Sequence, residues 1–216
     1  MRKNGLDLRV LLSLLVIVVA AGAVALVAIG GQSGEHAAHA QALEHDFDAA
    51  AVLSPAKPAP ALALRNYLGQ PVNIDSYRGK VVLVTFLYTN CPDVCPLIAS
   101  NLRAALNQMG PATASKVQVI AVSVDPHGDT PKAVAAFLAR HGMTGRMQYL
   151  IGSGKELAPV WKAWGVGSER DVQKPQFVNH TGLVYGITAS GKQLTLYASS
   201  FQPSEIAHDV PELAKL

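Results

Sequence analysis

The chain has 216 residues, half of them apolar, with 18 Lys and Arg against 15 Asp and Glu and a net charge of +3. That length supports one sizeable core, so a single globular domain is expected. The positive charge is weak and scattered, with no block of Lys and Arg interleaved with aromatic residues, which excludes nucleic-acid binding.

Residues 1–9 form a short basic N-terminus with Arg2, Lys3 and Arg9, followed by VLLSLLVIVVAAGAVALVAI (10–29), which holds nothing more polar than Ser13. At ~1.5 Å per residue such a helix spans roughly 30 Å, the hydrocarbon thickness of a bilayer. Basic residues before the run place the N-terminus in the cytoplasm and the remainder on the outer, periplasmic or extracellular, side of the cell membrane. A cleaved signal peptide is the competing reading. Its apolar core would be about 7–15 residues long, followed closely by a small-x-small site. Here the run is longer, and AHA at 38–40 lies well beyond its end. The expectation is an uncleaved, single-pass signal anchor.

Residues 30–57 are rich in Ala, Gly, Ser and Pro and read as a flexible linker. The linker carries His36, His39 and His45, which could pick up a metal loosely, although a solvated tether is the simpler reading. The globular domain is expected over 58–216. Gly69 and Gly79 mark turns, and KVVLVTFLYT (80–89) reads as a buried strand. PLIASNLRAALNQMG follows as a helix, with Leu97, Ile98, Leu102 and Leu106 at helical spacing and Gly110 as its stop.

KVQVIAVSVD (116–125) is a second buried strand. Asp129 or Thr130 can cap the next helix, PKAVAAFLARH, with Asp129 the favoured reading as a cap. MQYLIG is a weaker strand and GKELAPVWKAWGV a further helix, with Trp161 and Trp164 on its buried side. TGLVYGITAS and KQLTLYAS bracket Gly191 as an antiparallel hairpin, and PSEIAHDVPELAKL closes the chain as a helix bent or broken at Pro211. The alternation implies an α/β fold, a central mixed β-sheet flanked by α-helices with a C-terminal β-hairpin and helix. Its order resembles a thioredoxin-like fold, here preceded by one transmembrane helix.

The chemistry concentrates in TNCPDVCP. Cys91 and Cys95 are the only cysteines, and they follow directly on a buried strand, where α/β folds place their sites. A structural disulfide closing so short a loop would remove little chain entropy, so a staple explains the pair poorly. Residues four apart share one helix face, and a helix N-terminus favours thiolates, so both sulfurs can converge on one point. Two thiolates form a soft donor set suited to Cu(I) or zinc. Two sulfurs alone suit linear Cu(I); a further donor would serve Cu(II), and His180 in FVNHTGLVYGI is the best-placed candidate. His127 reads as a solvated loop residue, His141 and His208 as surface positions on helices, and Met109, Met143 and Met147 as packing residues.

The stretches GKVVLVTFLYTNCPDVCP, VIAVSVDPHGDTP and VNHTGLVYGI, together with the N-terminal anchor, resemble the Sco/SenC family of membrane-anchored, thioredoxin-like copper-binding proteins that assist cytochrome c oxidase assembly. The resemblance covers roughly residues 55–216. It implies that Cys91, Cys95 and His180 bind a copper ion, and that the partner is the CuA site on subunit II of the oxidase, with other copper donors or thiol reductants as further partners. It also implies that Asp125 shapes the site or its partner surface. The chain departs from many relatives at Asn90, where His is common, at Asn179, where an acidic residue is usual, and at His127 and Gly128 in place of a charged pair. Two other readings share the cysteines. One is a membrane-anchored thiol–disulfide oxidoreductase using a Cys91–Cys95 redox disulfide. The other is a peroxide-reducing enzyme, which the missing upstream proline before Thr89 disfavours.

Overall fold

The computed structural model describes residues 46–170, 178–180 and 182–216. The proposed anchor (10–29) and His36, His39 and His45 lie outside the described residues. Among the described residues no helix is long and apolar enough to cross a membrane.

The centre of the fold is three parallel strands, β4 (Val81–Leu87), β5 (Val117–Ser123) and β6 (Met147–Ile151), joined by helical connections. All seven residues of β4 are buried, as are the last five of β5. Such continuous burial is why both read as unbroken apolar runs and not as alternating patterns. Around them the sheet runs β1-β10-β9-β4-β5-β6-β2-β3, where β1 is Ala51–Pro58, β2 Ala63–Asn66, β3 Pro71–Asn73, β9 Leu183–Ile187 and β10 Lys192–Ala198. The strands outside the central three all pair antiparallel, including the expected β9–β10 hairpin around Gly191, whose φ is +83°. A separate two-stranded ribbon joins β7 (Ser168–Arg170) to β8 (Val178–His180).

Five α-helices are present among the described residues: α1 (Val94–Gln108), α2 (Gly110–Ala114), α3 (Pro131–Arg140), α4 (Gly154–Ala163) and α5 (Pro203–Leu213). α1 buries Cys95, Ile98, Ala99, Leu102, Ala105 and Leu106. Leu97, expected on the buried stripe, is instead 43% exposed, because the stripe is centred on Ile98 and Leu102, about 100° away around the helix. The Asn101 side-chain amide donates to the Phe201 carbonyl at 2.8 Å, tying α1 to the chain that enters α5. Thr130, not Asp129, caps α3: its hydroxyl accepts the Ala133 N–H at 3.2 Å. α5 runs through Pro211 without ending there. The proline stands in the last turn, where the lost hydrogen bond and the ring clash involve only one preceding turn.

The linker boundary moves. Residues 51–57 are expected within the linker, yet with Pro58 they form β1, paired with β10 from Ala51↔Leu196 to Pro58↔Lys192 across a bulge. Edge pairing is made by main-chain groups, so it needs none of the large apolar side chains whose scarcity suggested a tether. Just before β1, Phe47 is buried and the Asp48 N–H donates to the Asp209 carboxylate on α5 at 2.8 Å. We expect Phe47→Ala to lower the unfolding free energy by about 3 kcal/mol in a denaturant titration, whereas a residue of a free tether would contribute nothing.

Candidate metal and redox centre

β4 and β5 end in register, Leu87 opposite Ser123, and the Val124 N–H extends the pairing to the Leu87 carbonyl at 3.0 Å. Two loops therefore leave the sheet side by side at its carboxyl edge. One carries Tyr88 to Asp93 into α1; the other carries Val124 to Thr130 into α3.

In the first loop Tyr88 is 3% exposed and reaches both cysteines. Its carbonyl accepts the Cys91 N–H at 3.3 Å, its own N–H donates to the Cys95 sulfur, and its hydroxyl hydrogen-bonds the Cys91 sulfur. The chain then turns into α1, and the Cys95 N–H points back at the Cys91 sulfur at 3.4 Å. Both cysteines are free thiols, Cys91 at the edge of burial and Cys95 fully buried.

The two sulfurs are electrostatically unequal. The Cys95 thiol donates to Cys91, and with the Asp93 and Cys95 backbone N–H groups and the Tyr88 hydroxyl it outweighs burial and brings the Cys91 pKa down to about 6. Cys95 is pushed far up by that same hydrogen bond first, then by burial and by the negative charge on Cys91. Near neutral pH the pair is one thiolate and one thiol sharing a proton. Burial also raises the Tyr88 hydroxyl to about 12, which keeps it protonated as a donor.

The second loop supports the first. Asp129 is 4% exposed, and its carboxylate accepts the Thr89 N–H at 2.8 Å, the Ser123 hydroxyl at 2.6 Å and the Tyr149 hydroxyl at 3.0 Å. Burial nevertheless holds its pKa above the usual carboxylate range. Asp125, expected to shape the site or present a partner surface, is buried too, so it offers no surface. Its carboxylate accepts the His127 N–H at 3.2 Å, and its own N–H donates to Ser123 Oγ at 3.1 Å. A Cβ on Gly128 would come within 2.3 Å of the Asp125 carboxylate and 3.3 Å of the Asn90 amide, so only glycine lets these two loops approach this closely. His127 itself is exposed, as expected of a loop residue.

His180 is the last residue of β8, paired with Ser168 of β7. Two residues earlier, the Val178 backbone hydrogen-bonds the Tyr88 hydroxyl. Two residues later, a Cβ added at Gly182 would meet Ser199 at 3.3 Å and Ile98 and Val94 of α1 at 3.8 Å. β7 is fixed in turn by the Ser168 hydroxyl, which donates to the Val124 carbonyl at 2.8 Å.

Among the described residues, His141 and His208 stand apart. His141 packs its ring on Phe137 with centroids 4.6 Å apart, and His208 pairs with Asp209 at 2.9 Å and Asp48 at 3.5 Å. Trp161 and Trp164 are spoken for by structure, donating to the Ser123 and Ala61 carbonyls. Sequence reasoning overlooked Tyr88 and the true role of Asp129. A tyrosine directly between a buried strand and CPDVCP, and a second acid four residues after Asp125, were the available signals.

A mixed sheet with a dithiol where its central strand meets a helix defines a thioredoxin-like dithiol protein. The SCO1/SenC family model matches residues 54–215, and the chain belongs to that family. Among curated relatives, the human mitochondrial protein SCO1 homolog is 25% identical over 152 residues, 68% of this chain and 50% of the human protein. A SCO2-like protein of Rickettsia conorii is 26% identical over 146 residues, covering 64% of this chain and 68% of the relative. The chain spans about half the length of several of the curated relatives it matches. Among solved structures, Bradyrhizobium japonicum ScoI with copper bound superposes with a TM-score of 0.63 at 31% identity, over 73% of this chain and 99% of that one. The apo Sco1 protein of Thermus thermophilus gives 0.65 at 28% identity, over 78% and 96%.

Because the Cys91 pKa is depressed, its thiolate stabilises the reduced fold above the ordinary thiol range, and that contribution fades as pH falls through about 6. Alkylation by iodoacetamide, followed by mass spectrometry, should show Cys91 reacting with a midpoint near pH 6 while Cys95 stays unmodified. Equal labelling of the two thiols would contradict the asymmetry.

Proposed function

We propose that this chain is a copper chaperone that binds Cu(I) or Cu(II) through Cys91, Cys95 and His180 and passes the ion to the CuA site on subunit II of cytochrome c oxidase. The observation that carries this reading is the converged thiolate–thiol pair where the chain enters α1. Two sulfurs sharing one proton need to lose only that proton to become a two-thiolate, soft donor set that favours copper. An imidazole adds the third donor that Cu(II) calls for. Support comes from the copper-bound Bradyrhizobium japonicum ScoI, which is 31% identical over most of the domain. Residues 10–29 would anchor the chain in the membrane and hold the domain on the outer side, where the oxidase site lies.

The inequality of the thiols also favours a second reading, a thiol–disulfide oxidoreductase. In that reaction the Cys91 thiolate attacks a partner disulfide, one partner thiolate leaves, and a mixed disulfide remains. Cys95 then gives up its proton and attacks the Cys91 sulfur, releasing the second partner thiolate and leaving Cys91–Cys95 oxidised by two electrons. For a copper carrier the same oxidation removes both thiolates, so the reduced pair is the loading-competent form.

The two readings separate at His180. The purified full chain should bind one copper per molecule, and His180→Ala should weaken Cu(II) by about tenfold or more while leaving a reducible Cys91–Cys95 disulfide. Copper analysis with absorption spectroscopy measures both. Full Cu(II) affinity in the variant would refute the three-donor site, and a wild-type chain that retains no copper would favour disulfide exchange.

A further inference from the structure

We infer that Asp48, His208 and Asp209 form a second metal site that takes a divalent first-row ion of the zinc class through one imidazole nitrogen and two carboxylate oxygens. The inference does not depend on the copper reading above, because none of these donors belongs to either loop of the dithiol centre.

The donors come from two distant parts of the chain. His208 and Asp209 are neighbours on α5, whereas Asp48 stands just before β1, 161 residues ahead of Asp209. The Asp48 N–H donates to Asp209 Oδ1 at 2.8 Å, which fixes that segment against the helix. His208 Nδ1 lies 2.9 Å from Asp209 Oδ1 and 3.5 Å from Asp48 Oδ2, and the three ligand atoms are all within 4.8 Å of one another. Zinc holds nitrogen and oxygen donors at about 2.0–2.2 Å, which sets neighbouring donors roughly 3–3.5 Å apart in a tetrahedral or octahedral shell. The three groups already stand near that spacing. An ion would take the place of a proton between Nδ1 and the carboxylates.

One of the donors is built into the core. The Asp209 side chain is fully buried, while those of His208 and Asp48 are 54% and 55% exposed. Asp209 Oδ2 accepts the hydroxyl of Tyr197, a buried residue of β10, at 2.9 Å, and the Tyr197 oxygen accepts the Thr195 hydroxyl at 3.3 Å. A carboxylate held from behind in this way presents its other oxygen in one direction, as ligating carboxylates do. Burying a carboxylate is costly without a counter-charge. Among the described residues the one cationic group paired with Asp48 or Asp209 is His208, so with a neutral imidazole the cluster carries two negative charges. The exposed side of His208 and Asp48 lets an ion enter and water complete its shell. This donor set is harder than a pair of thiolates, so it suits Zn(II) or Cu(II) and discriminates against Cu(I). The bound ion clips the chain entering β1 to the C-terminal helix.

The test uses the full chain carrying Cys91→Ser and Cys95→Ser, so that thiolates cannot take the metal, stripped with EDTA and titrated with Zn(II) by calorimetry at neutral pH. A site for one Zn(II) per chain should appear, and Cu(II) should bind it more tightly. His208→Gln and Asp48→Ala should each weaken Zn(II) by about tenfold or more. Tyr197→Phe, which keeps the ring and removes the hydroxyl that orients Asp209, should do so by a similar factor. Zn(II) should also raise the midpoint of denaturant unfolding in the parent chain and leave that of His208→Gln unmoved. His208 and Asp48 are exposed enough for their variants to fold, and unfolding midpoints without metal verify it. Zn(II) binding that survives both of these changes would belong to other groups, such as His36, His39 and His45, and overturns the inference. A parent chain that binds no Zn(II) overturns it as well, whether or not the wild type holds copper at its cysteines.

Discussion

The carboxylate of Asp129 has almost no water to solvate it, and the hydrogen bonds that replace that water come from three separate pieces of chain. Thr89 belongs to the cysteine loop, Ser123 to the end of β5 and Tyr149 to β6. A buried ionisable group left without such partners is costly, and each bond to a charged acceptor contributes about 1.5–3 kcal/mol. The cysteine loop, the end of β5 and β6 are therefore held to one another at one point. The loop that presents Cys91 is shaped from beneath by this anchor, and the loop that follows β5 is locked against it by Asp125, Asn90 and the missing side chain of Gly128.

From that anchor the properties of the thiols follow. The cysteine loop is narrow enough for the first turn of α1 to aim the Cys95 N–H and S–H at the Cys91 sulfur. One sulfur is thereby stabilised as an anion at the expense of the other. The same asymmetry serves metal capture and disulfide exchange, because both begin with a thiolate at a partly accessible position and a second sulfur held in reserve. What would distinguish the two is a donor from elsewhere in the chain, and the ribbon that ends at His180 is tied to the end of β5 through the Ser168 hydroxyl. Metal chemistry and redox chemistry are thus joined in one small set of contacts.

Much of this was legible in the residues. β4 and β5 announced themselves as uninterrupted apolar runs because parallel central strands are covered on both faces. The position of CPDVCP after such a run marked the site, and the helices carried their own stops and proline starts. Elsewhere local reasoning misled. β1 looks like linker because edge pairing depends on backbone groups that every residue has. Asp129 looks like a helix cap because Asp is a good one, and only the approach of Tyr149 and Thr89 from other segments shows that Thr130 takes that role. Leu97 and Ile98 are adjacent and equally apolar, and which of them is buried depends on how α1 is rotated against the sheet.

The sequence by itself determined the chemistry on offer: two cysteines one helical turn apart after a buried strand, a later histidine, and an α/β order that brings strand ends together. Those properties are local, set by spacing, periodicity and residue type. Tertiary structure decided how that chemistry is tuned. The hold on Asp129 depends on Thr89, 40 residues away, and Tyr149, 20 residues away, meeting it in a place with little water. Hydrogen bonds and charges gain their strength from that exclusion of water, and a linear sequence does not state which distant groups will share it.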